Sequence, residues 1–290
     1  MNVTVRVPAS TANLGSGFDA LGMALGLYDQ VSVTLTGGET TVEVTGEGAG
    51  EVALDESHLV LRALRASCAA LGVPLSGVAL RCQNVIPHSR GLGSSAAAIV
   101  AGVAAGYGLA GRPIDEDALH LAAEFEGHAD NVAASLCGGL ALAWSEGSRY
   151  RAVRMEPHES LAPVVLIPDE YSSTSVTRGL LPDRVPHADA AFAAGRCALA
   201  VQAFTARPDL LLVATEDRLH QDYREKAWPQ TMRMVRELRE NGVAATVSGA
   251  GPTVFAATTD GRLPSAVDPT GFVVRALAVD RAGVQVERGA

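Results

Sequence analysis

Lysine is almost missing from this 290-residue chain: of its 23 basic side chains, only Lys226 is not an arginine. A Walker-type phosphate loop needs Lys followed by Ser or Thr, and Lys226 is followed by Ala227, so that class of nucleotide site is excluded. Schiff-base chemistry would have to use the same residue, which lies in YREKAW, an ordinary charged helix face. Cysteine pairing is missing too. Cys68, Cys82, Cys137 and Cys197 are widely spaced, with no CxxC and no Cys/His pair of metal-ligand type, which predicts reduced, buried thiols. No cluster of Lys and Arg offsets the net charge of −9, so neither nucleic acid nor an anionic membrane surface is an expected partner. The opening MNVTVRVPAS lacks an apolar export core and reads as a first strand. The one long uncharged stretch, Ser94 to Gly111, is built mostly of Ala and Gly, which contribute little transfer energy, so it predicts a buried helix and no membrane span. With 48% hydrophobic and 19% charged residues, disorder is excluded as well.

What is present is a mixture of strand and helix signals. Val3, Val5 and Val7 alternate with polar residues, and VSVTLTGGETTVEVTGEG repeats the pattern around a glycine turn. Residues 55–71 carry helical spacing, with Asp55 or Ser57 as the cap candidate. A strand over 77–85, helices over 93–109 and 116–126, and a strand in LCGGLALAW follow. The stretch from Glu146 to Pro163 shifts in composition and places a domain boundary there, giving domains 1–155 and 156–290. Beyond it VVLIPD, AATVSG, PTVFAAT, FVVRALAVD and GVQVERG read as strands. Helices are expected over 189–206, 210–214 and 228–241, with one more after PTVFAAT. Strands and helices do not alternate as regular βαβ units, which favours α+β over a doubly wound sheet.

The segment PHSRGLGSSAA, from Pro87 to Ala97, follows a strand and opens a helix. Gly91 and Gly93 let a ligand approach the backbone, and Ser94 and Ser95 put hydroxyls beside the unpaired amides of a helix N-terminus. That is a phosphate cradle which needs no lysine. Gly91, Gly93 and Ala96 also satisfy the GxGxxA dinucleotide fingerprint. Its second element, a strand ending in an acid about 20 residues on, is replaced here by another helix.

Read with PASTANLGSGFDALGMAL (Pro8–Leu25) and VSGAGPTVFA (Val247–Ala256), the loop resembles the motifs of the GHMP superfamily of small-molecule kinases. The resemblance runs through most of the chain and is strongest to the homoserine kinase family, supported by EFEGHADNVAASLCGG, STSVTRGLLP and DYREKAWP. It implies a two-domain α+β fold, with a ribosomal-S5-like N-terminal half and a ferredoxin-like C-terminal half. It further implies ATP and Mg2+ as cofactors, L-homoserine as the small-molecule substrate and a homodimer, while the missing export core, the reduced thiols and the need for ATP predict a cytoplasmic location.

Carried over residue by residue, the resemblance gives Pro87, His88, Ser89, Arg90, Gly91, Leu92, Gly93, Ser94, Ser95, Ala96 and Ala97, with Gly249 and Gly251, as the nucleotide cradle. Arg178 and Arg224 become carboxylate holders, a role that suits a planar guanidinium. Asn13, Asp19, His128 and Thr174 become substrate contacts. Ser95 and Glu124 are the expected metal ligands, with Glu126 as the alternative, since two residues on a helix point about 200° apart and cannot both face one ion. Asp130 is a candidate base and Asn131 a hydroxyl-orienting group. Direct transfer of the proton to phosphate stays open, because phosphoryl transfer rests chiefly on positioning and charge.

Overall fold

The structure is a computed structural model that describes residues 1–170, Thr177 and 179–289. Strands β1 (Asn2–Asn13) and β2 (Gly17–Leu35) form a long antiparallel ribbon, and their connecting turn carries the first motif. Val3, Val5 and Val7 are fully buried while Asn2, Thr4 and Arg6 are more exposed, as period-2 alternation requires, and from Pro8 onward the strand is buried on both faces. The distal half of β2 pairs with β4 (Val78–Asn84), which runs parallel to β3 (Thr41–Gly46). Its proximal part pairs with β5 (Leu140–Glu146), which continues the sheet into β6 (Arg149–Met155). On the other edge of β1 lies β11 (Gln285–Gly289), so the C-terminal strand returns to the N-terminal sheet.

Helices α1 (Leu59–Leu71), α2 (Ser94–Ala110), α3 (Glu116–Glu126) and α4 (Asp130–Cys137) accompany this sheet. The expected Ala/Gly-rich helix is α2, buried on nearly every side. Its small residues serve close packing: a Cβ added at Gly102 would lie 2.4 Å from the Val60 carbonyl oxygen of α1. Among the described residues no helix is long and apolar enough to cross a membrane. All four cysteines are free; Cys68 and Cys82 are buried, and Cys137 and Cys197 partly so. Burial pushes the Cys82 thiol up to about 12.

Two local expectations need correction. Asp55 and Ser57 do not cap α1, because Asp55 closes a turn of its own, accepting from the Ser57 backbone N–H at 2.8 Å and the Ser57 hydroxyl at 2.6 Å. The helix therefore starts later, after His58. Helix α4 was hidden in the apolar run leading into LCGGLALAW. Gly138 and Gly139, both at positive φ, separate it from β5.

The second sheet has the order β10-β7-β9-β8 and is antiparallel throughout, with β7 (Val164–Pro168), β8 (Ala244–Val247), β9 (Val254–Ala257) and β10 (Phe272–Ala276). Helices α5 (His187–Thr205), α6 (Leu211–Ala214) and α7 (Pro229–Glu240) belong to this half. The apolar run VVLIP is buried on both faces: Val164 and Leu166 pack with Met232, Val235 and Leu238 of α7, while Val165 and Ile167 join the main core. The helix expected after β9 is absent, and residues 258–271 form turns and loops.

Candidate active site

The loop expected to cradle phosphate ends in Gly93, which caps α2 in the left-handed region at φ 69°. A Cβ there would lie 2.1 Å from Ser10 Oγ, so the position requires glycine. No side chain caps α2, and its first turn, with Gly91 and Ser89, lines a cleft of about 290 Å³. An uncapped helix start offers unpaired amides and the positive end of the helix dipole. The third motif pins the loop from the second sheet, because the Ser248 hydroxyl donates to the Gly91 carbonyl at 2.6 Å. Gly249 and Gly251 line the same cleft.

Other residues of the loop face elsewhere. Pro87, Leu92 and Ala96 are buried in the fold, and His88 and Ala97 line a neighbouring cavity. Arg90 does not line the cleft; its Nε and Nη2 donate to the Pro168 and Asp169 carbonyls, each at 2.9 Å. Its guanidinium thus ties the phosphate loop to the end of β7.

Ser95 Oγ donates to Glu126 Oε2 at 2.7 Å, and both line the cleft. Glu124 does not: it is 57% exposed and lies 3.7 Å from His120 Nε2. The metal-ligand expectation therefore moves from Glu124 to Glu126, two residues and about 200° round α3. Among the described residues no cluster of three His, Cys, Asp or Glu could enclose a metal by itself. A hydroxyl and a carboxylate side by side do suit Mg2+, which takes few protein ligands and fills its octahedron with phosphate oxygens and water.

Beyond Glu126, His128 lies between two carboxylates. Its Nδ1 is 2.7 Å from Asp130 Oδ1 and its Nε2 is 3.9 Å from Glu126 Oε1. Asp130 opens α4, and its Oδ1 also accepts from the Asn131 backbone N–H at 2.7 Å. The Asn131 side chain accepts from the Ser10 hydroxyl at 2.9 Å.

Asn13, Phe18 and Asp19, at and beside the β1–β2 turn, also line the cleft. Asn13, Leu14 and Asp19 adopt positive φ without being glycine, an uncommon run that bends the turn over the cleft. Asn13 Nδ2 donates to the Gly249 carbonyl at 2.8 Å, and its Oδ1 accepts from the Asp19 N–H at 3.0 Å. Asn13 thus fixes Asp19 and the third motif together, a role not foreseen in the substrate-contact expectation. Arg224, only 2% exposed, lines the cleft as its one cationic side chain among the described residues. Thr174 and Arg178 lie outside the described residues.

Two features were not read from the sequence. A second cavity, of about 340 Å³, shares Ser89, Ser94 and Ser95 with the cleft and is walled by Val7, Val31, Val52 and Val60. Asp29 and His58 also line it. The available signal was a carboxylate at position 29, on the apolar face of β2 that Val31 and Val33 share. Asp29 Oδ1 accepts from the Val85 and Ile86 amides at 2.6 and 2.9 Å, while burial raises its pKa. The second unforeseen residue is His220, fully buried behind Arg224.

Burial pushes the imidazoles of His58 and His220 below their ordinary value of 6.5. The unfolded chain therefore takes up protons first as pH falls through about 6.5. Stability is full above that value and declines below it, by at most about 1.4 kcal/mol per pH unit for each group. Calorimetry should give a lower Tm at pH 5.5 than at pH 7.5, with a smaller difference in His58→Gln; equal Tm values at the two pH values would contradict buried neutral imidazoles.

Comparison with known proteins gives matches in both halves. Residues 58–139 match the GHMP kinases N terminal domain and residues 200–268 the GHMP kinases C terminal model. A homoserine kinase of Rhodococcus erythropolis is 54% identical over 274 residues, covering 90% of this chain and 87% of that protein. One from Streptomyces coelicolor is 50% identical over 291 residues, covering 98% and 94%. The crystal structure of homoserine kinase from Cytophaga hutchinsonii superposes with a TM-score of 0.86 at 26% identity, covering 99% of this chain and 97% of that one.

Proposed function

The chain belongs to the GHMP kinases and, within them, to the homoserine kinases, and from that premise we propose how its cleft moves the γ-phosphoryl group of ATP to the side-chain hydroxyl of L-homoserine. The observation that carries the reading is one cleft lined both by the Ser95–Glu126 pair at the uncapped start of α2 and by Arg224. The apolar second cavity, continuous with this helix start through Ser94 and Ser95, takes the nucleobase. The triphosphate then lies against the first-turn amides of α2, where dipole and donors favour anions even in an acidic protein.

Ser95 and Glu126 would hold Mg2+, which when bound neutralises charge between the β- and γ-phosphates. Arg224 receives the substrate carboxylate through its planar fork. Asp19, held by Asn13, faces the ammonium, and His128 and Asn131 lie near the reacting hydroxyl. In the reaction the bond from the β,γ-bridging oxygen to the γ-phosphorus breaks and one from the homoserine oxygen forms. ADP leaves, and the hydroxyl proton is released.

Asp130 Oδ1 accepts from both the His128 ring and the first turn of α4. We assign Asp130 to holding His128, with the proton passing to phosphate. Asp130→Asn keeps an acceptor for His128 and should retain more than about a tenth of kcat, since losing a general base typically costs 10²-fold or more. A drop beyond that restores Asp130 as the base.

Domain limits of 1–155 and 156–290 are supported by the change of sheet between β6 and β7, although β11 crosses back. The whole reading is tested by ADP release with ATP and magnesium across L-homoserine, L-serine, L-threonine, mevalonate and galactose. Turnover confined to L-homoserine supports it. Turnover only with another alcohol removes the substrate half, and none with any of them leaves a silent nucleotide binder.

A further inference from the structure

His220 belongs to no motif that singled out a chemical role, yet its surroundings define its state. The side chain is fully buried in the segment before Arg224 and stacks on Phe18 at the start of β2, with ring centroids 5.1 Å apart. Its Nε2 is 3.0 Å from the Gly15 carbonyl oxygen, which can only accept. Its Nδ1 is 2.6 Å from Arg224 Nη1, which can only donate. One ring nitrogen must therefore carry the proton and the other must not, so the two contacts fix a single neutral tautomer. Asp217 supports the backbone from below, its Oδ2 accepting from the His220 and Gln221 amides at 3.0 and 2.8 Å.

We propose that His220 is a positioning residue for substrate recognition: its unprotonated Nδ1 holds one arm of the Arg224 guanidinium, and its Nε2–H anchors that arm to the first motif through Gly15. The guanidinium, which lines the cleft, is thereby held at a fixed angle. A long arginine otherwise loses rotamer freedom when it binds a ligand, and a guanidinium oriented beforehand avoids that cost. Because Phe18 stacks on the same ring and Arg224 Cζ lies 5.6 Å from the Phe18 ring centre, the turn that carries Asp19 and the arginine that meets the carboxylate are set by one side chain. The two charged ends of an amino-acid substrate are thus read at a fixed separation.

This inference rests on the assignment of Arg224 to the carboxylate, and the test separates the two. Asparagine places a side-chain oxygen as many bonds from Cβ as Nδ1, and glutamine places a nitrogen as many bonds from Cβ as Nε2. His220→Asn therefore keeps the acceptor for Arg224, and His220→Gln keeps only the donor to Gly15. Kinetics are measured with L-homoserine and with 3-aminopropan-1-ol, the same alcohol without a carboxylate. For L-homoserine, His220→Gln is expected to raise KM about tenfold or more with kcat within threefold, and His220→Asn to keep KM within about threefold. For ATP and for 3-aminopropan-1-ol, KM should stay within twofold in both variants. Equal losses in the two variants, or losses that extend to ATP, make His220 merely structural and overturn the proposal. If His220→Gln does not fold, His220→Leu, which removes both polar contacts, is read by the same comparison of substrates and must lose affinity for L-homoserine alone. A loss of L-homoserine affinity in Arg224→Ala together with normal affinity in His220→Gln rejects the positioning role and keeps the carboxylate assignment. Normal affinity in Arg224→Ala rejects that assignment itself.

Discussion

Replacing Arg224 by alanine is expected to raise the KM for L-homoserine about a hundredfold while leaving the KM for ATP within twofold. Removing one partner of a buried, hydrogen-bonded charge pair costs roughly 2–5 kcal/mol, and each 1.4 kcal/mol is a factor of ten. Arg224 is buried and is the one cationic side chain that lines the cleft among the described residues, so its loss removes that charge from the cleft. The carboxylate is remote from the hydroxyl, so its contact is made equally in ground and transition states, and kcat should fall much less than affinity. Arg224→Lys should recover only part of the loss, because an ammonium lacks the two-pronged geometry. Steady-state kinetics with both substrates varied decides this, and a KM for L-homoserine within threefold of the parent would sink the carboxylate assignment.

The second large effect is expected at α3. Glu126→Gln should lower kcat/KM by about 10²–10³ and raise the magnesium concentration needed for half-maximal rate, as removal of a group that stabilises transition-state charge commonly does. Glu124→Gln, two residues away on the exposed face, should stay within twofold of the parent. The pair is informative because both substitutions remove one charge from the same helix. A general loss of negative potential would move both variants alike, whereas a ligand role moves one. Magnesium titrations at fixed ATP provide the readout, and equal responses would withdraw Glu126 from the metal.

The loop that opens α2 was legible in the sequence because its signals are local: glycines at the turn, serines at the helix start and small residues behind them occupy consecutive positions. The cap of α3 is just as local, with Asp115 accepting from the Asp117 and Ala118 amides. Glu124 and Glu126 could not be separated, because the choice depends on how α3 is rotated against α2, which is set by packing. Helix α4 was missed where an eight-residue apolar helix and a strand follow each other, and only two glycines mark the change. The second cavity and the His220 contacts join residues far apart in the chain, Val7 with Val60 and Gly15 with His220, and no local pattern reports such pairs.

The return of β11 to β1 has a consequence for how the chain acquires its fold. Asn2 pairs with Gly289 and Arg6 with Gln285, so a strand made among the first residues is flanked on one side by a strand made nearly the whole chain later. During synthesis the β1 edge stays open, with its amides and carbonyls unpaired, while the rest of the first sheet and the entire second sheet emerge. Closure of this outer ladder is a contact of very long sequence separation, which places it late in assembly and makes it slow. The N-terminal half therefore keeps an open strand edge until β11 has been made.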